Sequence, residues 1–320
     1  MWADNKMIAY RYDLHTHTTT SDGKLHWKEL LLYAKEIGLN GISITDHNVI
    51  GPIEKIAEEA RRLKLKYVSG TEIKTTCKNQ ISYYNNGKLL PTQELIIYGI
   101  DPENQEFLDM SKRHLEGKKE YLIELCRLLK EHSTSEIPGL SIDESIDVDA
   151  IKIIGGAGNY VGATNVIEEI VRKYRDYAEG EFGKENVKKL IVDVQADALK
   201  LMKDDPFYGL DIIDGVRKAK KWGKVVVMAH PFTESRADMG KFYEEYLIPL
   251  LVENGLDGLE YSYPEHTDEQ RGIIKRLADR FDLILTGGSD FHRKEDKFYR
   301  LGSCGVDEED FLELEKRIDI

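Results

Sequence analysis

Residues 7–23 read MIAYRYDLHTHTTTSDG, a short β-type run that ends in two histidines and a glycine-closed loop. Alternate residues of a strand point to the same side, so we expect His15 and His17 to share one face. Asp22 follows in the loop, directly before Gly23. This stretch therefore predicts a strand whose carboxyl end carries three potential metal ligands.

A strand–helix rhythm extends outward from this stretch. The next segment, LHWKELLLYAKEIG, has apolar residues at helical spacing and Gly38 as its expected end, and NGISIT follows as a second strand. Similar runs return after residue 211, in KVVVMAH, LDGLEY and LILTGGSDFH. Short apolar strands that alternate with helices are typical of parallel βα units, so we predict an α/β fold, either one large domain or a barrel that carries an insertion.

The middle of the chain has a different pattern. Between residues 103 and 210 helical apolar repeats dominate and strand signals are few. We therefore expect the first part of a barrel over residues 1–102, a mostly helical insertion or cap over 103–210, and the second part of the barrel over 211–320.

Composition excludes several classes of function. The formal net charge of −13 argues against binding along a long nucleic-acid duplex, which needs a basic face. No apolar run is long enough to span a membrane, and the first residues lack the pattern of a secretory signal. The three cysteines form no Cys-x-x-Cys pair, which suits a reducing compartment. We expect a cytoplasmic protein without a membrane partner.

Imidazoles and carboxylates recur where the other predicted strands end. Such residues occur in SITDHN, GTE, MAHP, LEY and GGSDFH. A single histidine there is more often structural, and an Asp-His pair is compatible with a solvated turn. In a parallel barrel, however, all strand carboxyl ends open onto one face. The recurrence therefore favours a shared metal centre with eight candidate ligands: His15, His17, Asp22, His47, Glu72, His230, Asp290 and His292.

The ligand types and their number limit the choice of metal. Mixed imidazole and carboxylate ligation suits Mn, Zn or Fe better than Mg or Ca, which prefer oxygen alone. Eight ligands exceed what one ion needs. We therefore expect two or three divalent transition-metal ions that share a bridging carboxylate.

The motifs DLHTHTTTSDG, SITDHN, GTE, MAHP and GGSDFH, in this order, resemble those of the polymerase and histidinol phosphatase (PHP) superfamily. The resemblance covers roughly residues 8–100 and 215–305. It implies a distorted (β/α)7 TIM-like barrel, a trinuclear site and hydrolysis of phosphate esters by metal-hydroxide attack. Carried over by motif, it assigns the first ion to His15, His17, Glu72 and Asp290, the second to Glu72 and His230, and the third to Asp22, His47 and His292.

One position departs from the family pattern. Ile96, in ELIIYGI, stands about where the family usually has a further histidine. We therefore expect the second ion to be weakly held, to be absent, or to recruit Glu94 or a water.

The length and the insertion resemble the branch of nucleotide phosphatases and 5′-3′ exoribonucleases. That resemblance implies a small phosphorylated substrate, such as a nucleotide or a short oligonucleotide. The Arg-Pro-His segment common in that branch is missing, and GNYVGATNVIEEIV stands in the comparable place. Histidinol phosphate hydrolysis remains an alternative, as does a non-catalytic, metal-binding or regulatory module.

Several further residues are candidates for supporting roles. Asp13 and Asp46 precede ligands on their strands, and we expect them either to orient imidazoles or to close strand-end turns. Glu260 is expected to be an outer or water-activating carboxylate, with a structural role as the alternative. Substrate phosphate also needs donors, and the candidates, each alternatively a solvated side chain, are Arg236, Arg113, His114, His266 and Arg293.

Overall fold

The computed structural model describes residues 10–77, 92–136, 204–232 and 240–318. Seven strands in this part of the chain form one sheet: β1 (Tyr12–Asp13), β2 (Gly41–Ile44), β3 (Lys66–Thr75), β4 (Gln93–Tyr98), β5 (Val225–Met228), β6 (Gly258–Ser262) and β7 (Ile284–Gly287). The helices are α1 (Trp27–Ile37), α2 (Ile53–Arg62), α3 (Gln105–Glu136), α4 (Ile212–Trp222), α5 (Gly240–Phe242), α6 (Ile248–Glu253), α7 (Asp268–Phe281) and α8 (Glu308–Ile318), with a π-helical turn at Tyr243–Leu247 between α5 and α6.

The sheet curves into a nearly closed barrel. Its strands are hydrogen-bonded in sequence order from β1 to β7. The two edges meet where Leu14 N–H donates to Gly287 O at 3.1 Å and Asp290 N–H donates to His15 O at 2.9 Å. The predicted α/β barrel is confirmed, and closure brings the first and last strand ends of the chain together.

The expectation that all strands run parallel is wrong for β4. This strand pairs antiparallel with both β3 and β5, whereas the other neighbouring pairs are parallel. A parallel neighbour needs a crossover connection, but an antiparallel neighbour does not, and strand–helix alternation alone does not distinguish the two. As a result, β4 brings its amino end, with Glu94, to the side where the other strands bring their carboxyl ends.

Apolar side chains fill the barrel and pack its helices against the sheet. The interior cluster includes Leu14, Val68, Ile96 and Val227, and the Tyr98 hydroxyl within it donates to Leu14 O at 3.0 Å. Separate clusters pack α1 and α2 against one side of the sheet and α4 to α7 against another. The floor of the barrel is therefore apolar, and polar side chains collect at the opposite end.

The helical insertion is described only at its borders. α3 runs without a break through Gly117. Residues 137–203 of the predicted insertion lie outside the described residues. Within the described ranges, no helix is long and apolar enough to cross a membrane.

Candidate metal centre

One buried carboxylate lies at the centre of the polar end of the barrel. Glu72, near the middle of β3, is 1% exposed. Its two oxygens face four imidazole rings, at 3.3 Å from His15 Nε2, 3.5 Å from His17 Nε2, 3.1 Å from His47 Nδ1 and 3.1 Å from His230 Nε2. Histidines from the carboxyl ends of three separate strands, β1, β2 and β5, therefore converge on a single side chain.

Two more carboxylates extend the cluster along the rim. Asp290 Oδ1 lies 3.1 Å from His17 Nε2 and 3.6 Å from His292 Nδ1. Asp22 lies 3.2 Å from His292 Nε2 and 3.7 Å from His47 Nε2. All eight residues predicted as ligands are thus brought together by the fold.

The eight side chains form three overlapping groups whose ligand atoms lie within 4.8 Å of one another. The groups are His17, Asp22, His47 and His292; His15, Glu72 and His230; and His15, His17 and Asp290. This division differs slightly from the one carried over by motif, because His17 also reaches the Asp22 group and His15 also reaches the His230 group.

The donor atoms of these groups suit metal ions. Among the described residues, His15 Nε2 and both ring nitrogens of His17 are buried and have no hydrogen-bond partner. A buried polar atom without a partner costs about 1–3 kcal/mol, so such atoms are rare unless an ion or ligand completes them. Nitrogen donors beside carboxylates point to transition metals.

The buried carboxylates of the cluster also need neighbouring positive charge to stay ionised. Burial would raise the pKa of Glu72, but the imidazoles of His15 and His47 hold that pKa well below its usual value. Burial, together with the rings of His292 and His47, lowers the pKa of His17 to about 3. Burial also opposes charge on His15, yet the surrounding carboxylates hold its pKa well above its usual value. Divalent ions would take the place of the imidazole protons, and their binding would release those protons.

The backbone is in the left-handed region next to several of these ligands. His230 has a φ of 26° and Asp290 a φ of 54°, and Asn48, which follows His47, has a φ of 58°. Non-glycine residues rarely adopt such angles, and those that do are concentrated at functional sites. The surrounding structure therefore stabilises unusual conformations in order to aim these side chains.

The PHP-domain family model matches residues 13–186, more than half of the chain. The chain belongs to the PHP family. It is a metal-dependent phosphoesterase and thus a hydrolase. This confirms the resemblance seen in the motifs.

Individual proteins that are similar to this chain agree with the family assignment. The chain is 25% identical to a 5′-3′ exoribonuclease of Haemophilus influenzae over 98% of its own length and 96% of that protein. It is 24% identical to a phosphoribosyl 1,2-cyclic phosphate 1,2-diphosphodiesterase of Eggerthella lenta over 88% of its own length and 94% of that protein. A solved structure from Bifidobacterium adolescentis, assigned as a metal-dependent phosphoesterase, shares the fold with a TM-score of 0.70 at 22% identity, covering 97% of this chain and 96% of that one.

Glu260 contacts two histidines of the metal centre. This residue of β6 is fully buried. Its Oε1 lies 3.0 Å from His15 Nδ1, and its Oε2 accepts a hydrogen bond of 2.7 Å from the His230 backbone N–H. A carboxylate on the far ring nitrogen fixes the tautomer and orientation of a metal-ligating imidazole. Of the expected roles, these contacts favour the outer carboxylate over water activation.

Replacing Glu260 by glutamine should lower metal affinity and kcat/KM by about 10–100-fold, the usual effect of losing such a partner. The amide keeps the shape of the side chain but removes the charge that holds His15. Metal titration and steady-state kinetics on the same preparation would measure both losses. Full activity at unchanged metal affinity would show that Glu260 is only a packing residue.

The role of Asp13 and Asp46 in orienting imidazoles stays a prediction, and the hydrogen bonds of both carboxylates go to hydroxyl and backbone N–H groups. Asp13 accepts hydrogen bonds from the Ser289 hydroxyl at 2.6 Å and from the Gly302 backbone N–H at 2.8 Å. Asp46 accepts from the hydroxyl groups of Thr18, at 2.7 Å, and Ser21, at 2.6 Å. These carboxylates therefore hold the ligand-bearing loops through hydrogen bonds that are long-range in sequence, which are not the contacts of a local strand-end turn.

The antiparallel course of β4 brings Glu94, and not Ile96, to the metal centre. Ile96 lies inside the apolar barrel cluster. Glu94, two residues nearer the amino end of the strand and on the same face, places its Oε2 3.4 Å from His230 Nε2. The carboxylate of Glu94 is therefore positioned beside the second group, as one of the sequence expectations allowed.

The candidate phosphate donors occupy different environments. His266 is buried, with its ring nitrogens 2.9 Å from Tyr261 O and 2.5 Å from Pro231 O. His114 is also buried and engaged in a polar network. These contacts support neither the predicted substrate role nor the solvated alternative for the two histidines. Arg113 is exposed on α3, Arg293 is half-buried beside His292, and Arg236 lies outside the described residues.

Two polar residues near the centre were missed by sequence reasoning. Tyr263 donates its hydroxyl hydrogen to Asp290 Oδ2 at 3.0 Å, and its ring centroid lies 4.8 Å from that of His230. Lys118 is buried on α3, one helical turn after His114. The spacing of four residues from His114 is a signal that would have placed Lys118 on the same helix face.

Proposed function

We propose that this PHP protein hydrolyses phosphate esters of nucleotides or short oligonucleotides with two or three bound transition-metal ions. The observation that carries the proposal is the Glu72 carboxylate, which has four imidazole nitrogens within 3.5 Å. Such a set of buried nitrogen donors around an ionised carboxylate suits Mn, Zn or Fe. The named relatives, an exoribonuclease and a cyclic phosphodiesterase, support a nucleotide-like substrate.

The bound ions would supply an acidified water as the nucleophile and positive charge for the phosphoryl oxygens. The protein would contribute positioning. In the proposed assignment, Glu72 and the surrounding imidazoles would hold the ions, Glu260 would fix the ring of His15, and Glu94 would help to hold the second ion in place of the missing family histidine. A rigid cluster costs little reorganisation during the reaction, and this is why preorganised electrostatics contribute strongly to phosphoryl transfer.

Lys118 and Lys74 are the proposed cations for substrate phosphate. Lys74 is on the same strand as Glu72, two residues further on, and therefore on the same face. Lys118 is within electrostatic reach of both Lys74 and Asp22. Burial, followed by the charge of Lys74, lowers the pKa of Lys118 from 10.5 to about 8. An incoming phosphate would relieve this repulsion between two ammonium groups.

This pairing predicts a pH effect on substrate capture. Because Lys118 loses its proton above about pH 8, kcat/KM should fall there in the wild type, while Lys118→Arg should keep its charge and lose this falling limb. The free energy of unfolding should change in the opposite direction and rise between about pH 8 and 10.5. The reason is that Lys118 binds its proton more tightly in the unfolded chain than in the folded one. pH profiles of kcat/KM and of thermal unfolding would measure both, with exposed Lys119→Met as the control. A falling limb that persists in Lys118→Arg would contradict the assignment.

A substrate panel with metal-loaded protein tests the proposed function. It should contain nucleoside monophosphates, 3′,5′-bisphosphates, short 5′-phosphorylated oligonucleotides and histidinol phosphate. We expect turnover of at least one nucleotide substrate and loss of turnover after chelation. Hydrolysis of histidinol phosphate alone would replace the nucleotide assignment, and binding of nucleotides without turnover would indicate a regulatory module.

We also propose the domain division and location inferred from the sequence. Residues 1–102 and 211–320 would form the barrel and 103–210 the cap, in a cytoplasmic protein. The long helix α3 at the start of the cap segment supports this division. Limited proteolysis should cleave first within 103–210, and early cleavage inside a barrel strand would contradict the division.

A further inference from the structure

Asn48 connects the metal centre to the long helix α3. It follows His47 directly and has a left-handed backbone. On the side of β3, its backbone N–H donates to Glu72 O at 2.8 Å, and its side-chain oxygen accepts from the Lys74 N–H at 2.9 Å. Asn48 is therefore bonded to the strand that carries the central carboxylate.

The remaining polar groups of Asn48 contact α3. The Ser111 hydroxyl donates to Asn48 O at 2.8 Å, and the Asn48 side-chain nitrogen lies 3.3 Å from His114 Nε2. The other ring nitrogen, His114 Nδ1, lies 2.7 Å from Asp205 Oδ2. The side chains of Asn48, His114 and Asp205 are all buried.

A single arrangement of protons satisfies this chain of contacts. The Asn48 oxygen faces the Lys74 N–H, so its nitrogen faces His114 and can only donate. His114 Nε2 must then accept, and Nδ1 carries the hydrogen that is donated to Asp205. Burial lowers the pKa of His114, which agrees with this neutral ring. The ring and the amide therefore fix each other's orientation.

We propose that His114 is a positioning residue for the metal ligand His47 and acts through Asn48. This inference rests on the proposed metal centre. Without the His114 acceptor, the buried amide of Asn48 would lose a partner at a cost of about 1–3 kcal/mol. Asn48 would then leave its left-handed conformation more readily. The ring of His47, the residue directly before it, would no longer be held in its orientation toward Glu72 and Asp22.

Three variants test this role by metal binding to the chelator-treated protein, measured by calorimetric titration with Mn²⁺, and by thermal unfolding without metal. His114→Leu should weaken binding of one ion by about 10–100-fold. His114→Gln should restore most of that affinity, because its amide offers both a donor and an acceptor. Met110→Ala, a buried core change one turn earlier on α3, should lower stability but leave metal affinity unchanged.

The outcomes separate this inference from the proposed function. If the wild type binds no metal, the metal centre itself is wrong and the inference with it. If the wild type binds metal and folded His114→Leu binds it equally well, or Met110→Ala weakens it equally, positioning by His114 is wrong while the centre stands. Should His114→Leu not fold, Asn48→Gly replaces it, since glycine adopts the same φ without the side-chain link. Undiminished metal affinity in that variant would overturn the inference.

Discussion

Replacing His15 and His17 together by alanine should remove bound metal and reduce kcat/KM by about 10⁴-fold, equivalent to about 5.5 kcal/mol of lost transition-state stabilisation. The two rings are buried, and three of their four nitrogens lack a hydrogen-bond partner among the described residues. Both rings also contact Glu72 and Asp290. Metal analysis and kinetics on the same samples measure the effect.

The fold should survive this double change, because the barrel is held by separate apolar clusters. Circular dichroism of the variant should match that of the metal-free wild type. His26→Ala, which removes only the N-cap of α1, is the control and should keep its metal. Retained turnover in the double variant would rule out this centre as the active site.

The second large effect is expected for Glu72→Gln. Glutamine has nearly the same size, but it lacks the charge that faces four imidazole nitrogens. If Glu72 links neighbouring ions, metal content should fall and kcat/KM should drop by about 10³-fold, or about 4 kcal/mol.

A matched control is a carboxylate of α8 that contacts the other end of β3. Glu315 is also largely buried and pairs with Lys66, the first residue of β3, at 2.7 Å. Glu315→Gln should lower the unfolding temperature slightly and leave metal content and turnover unchanged. An equal loss of activity in both variants would mean that Glu72 acts through general stability and not as a ligand.

The sequence was most informative where chemistry and strand periodicity coincide. His15 and His17 share a face because side chains alternate along an extended chain, and the barrel then gathers the remaining ligands at one rim. The assignment of the eight ligands to individual ions came from the family motifs. Helix ends were readable as well: Gly38 terminates α1 in the left-handed conformation, as its position indicated.

Other features depend on tertiary contacts that no local pattern contains. The direction of β4 follows from its pairing with β3 and β5, and it determines that Glu94 lies beside His230. Asp13 and Asp46 find hydroxyls and backbone N–H groups instead of imidazoles because of how the loops fold back. The burial of His114 likewise requires Asp205, which is 91 residues away in sequence.

Anomalous diffraction from crystals of the Mn²⁺-loaded, active protein would locate the ions themselves. Two or three peaks should lie among the side chains around Glu72, with Asp22 and His292 beside one peak and His230 beside another. Active crystals without a peak in this cluster, or with peaks only at other places, would contradict the account.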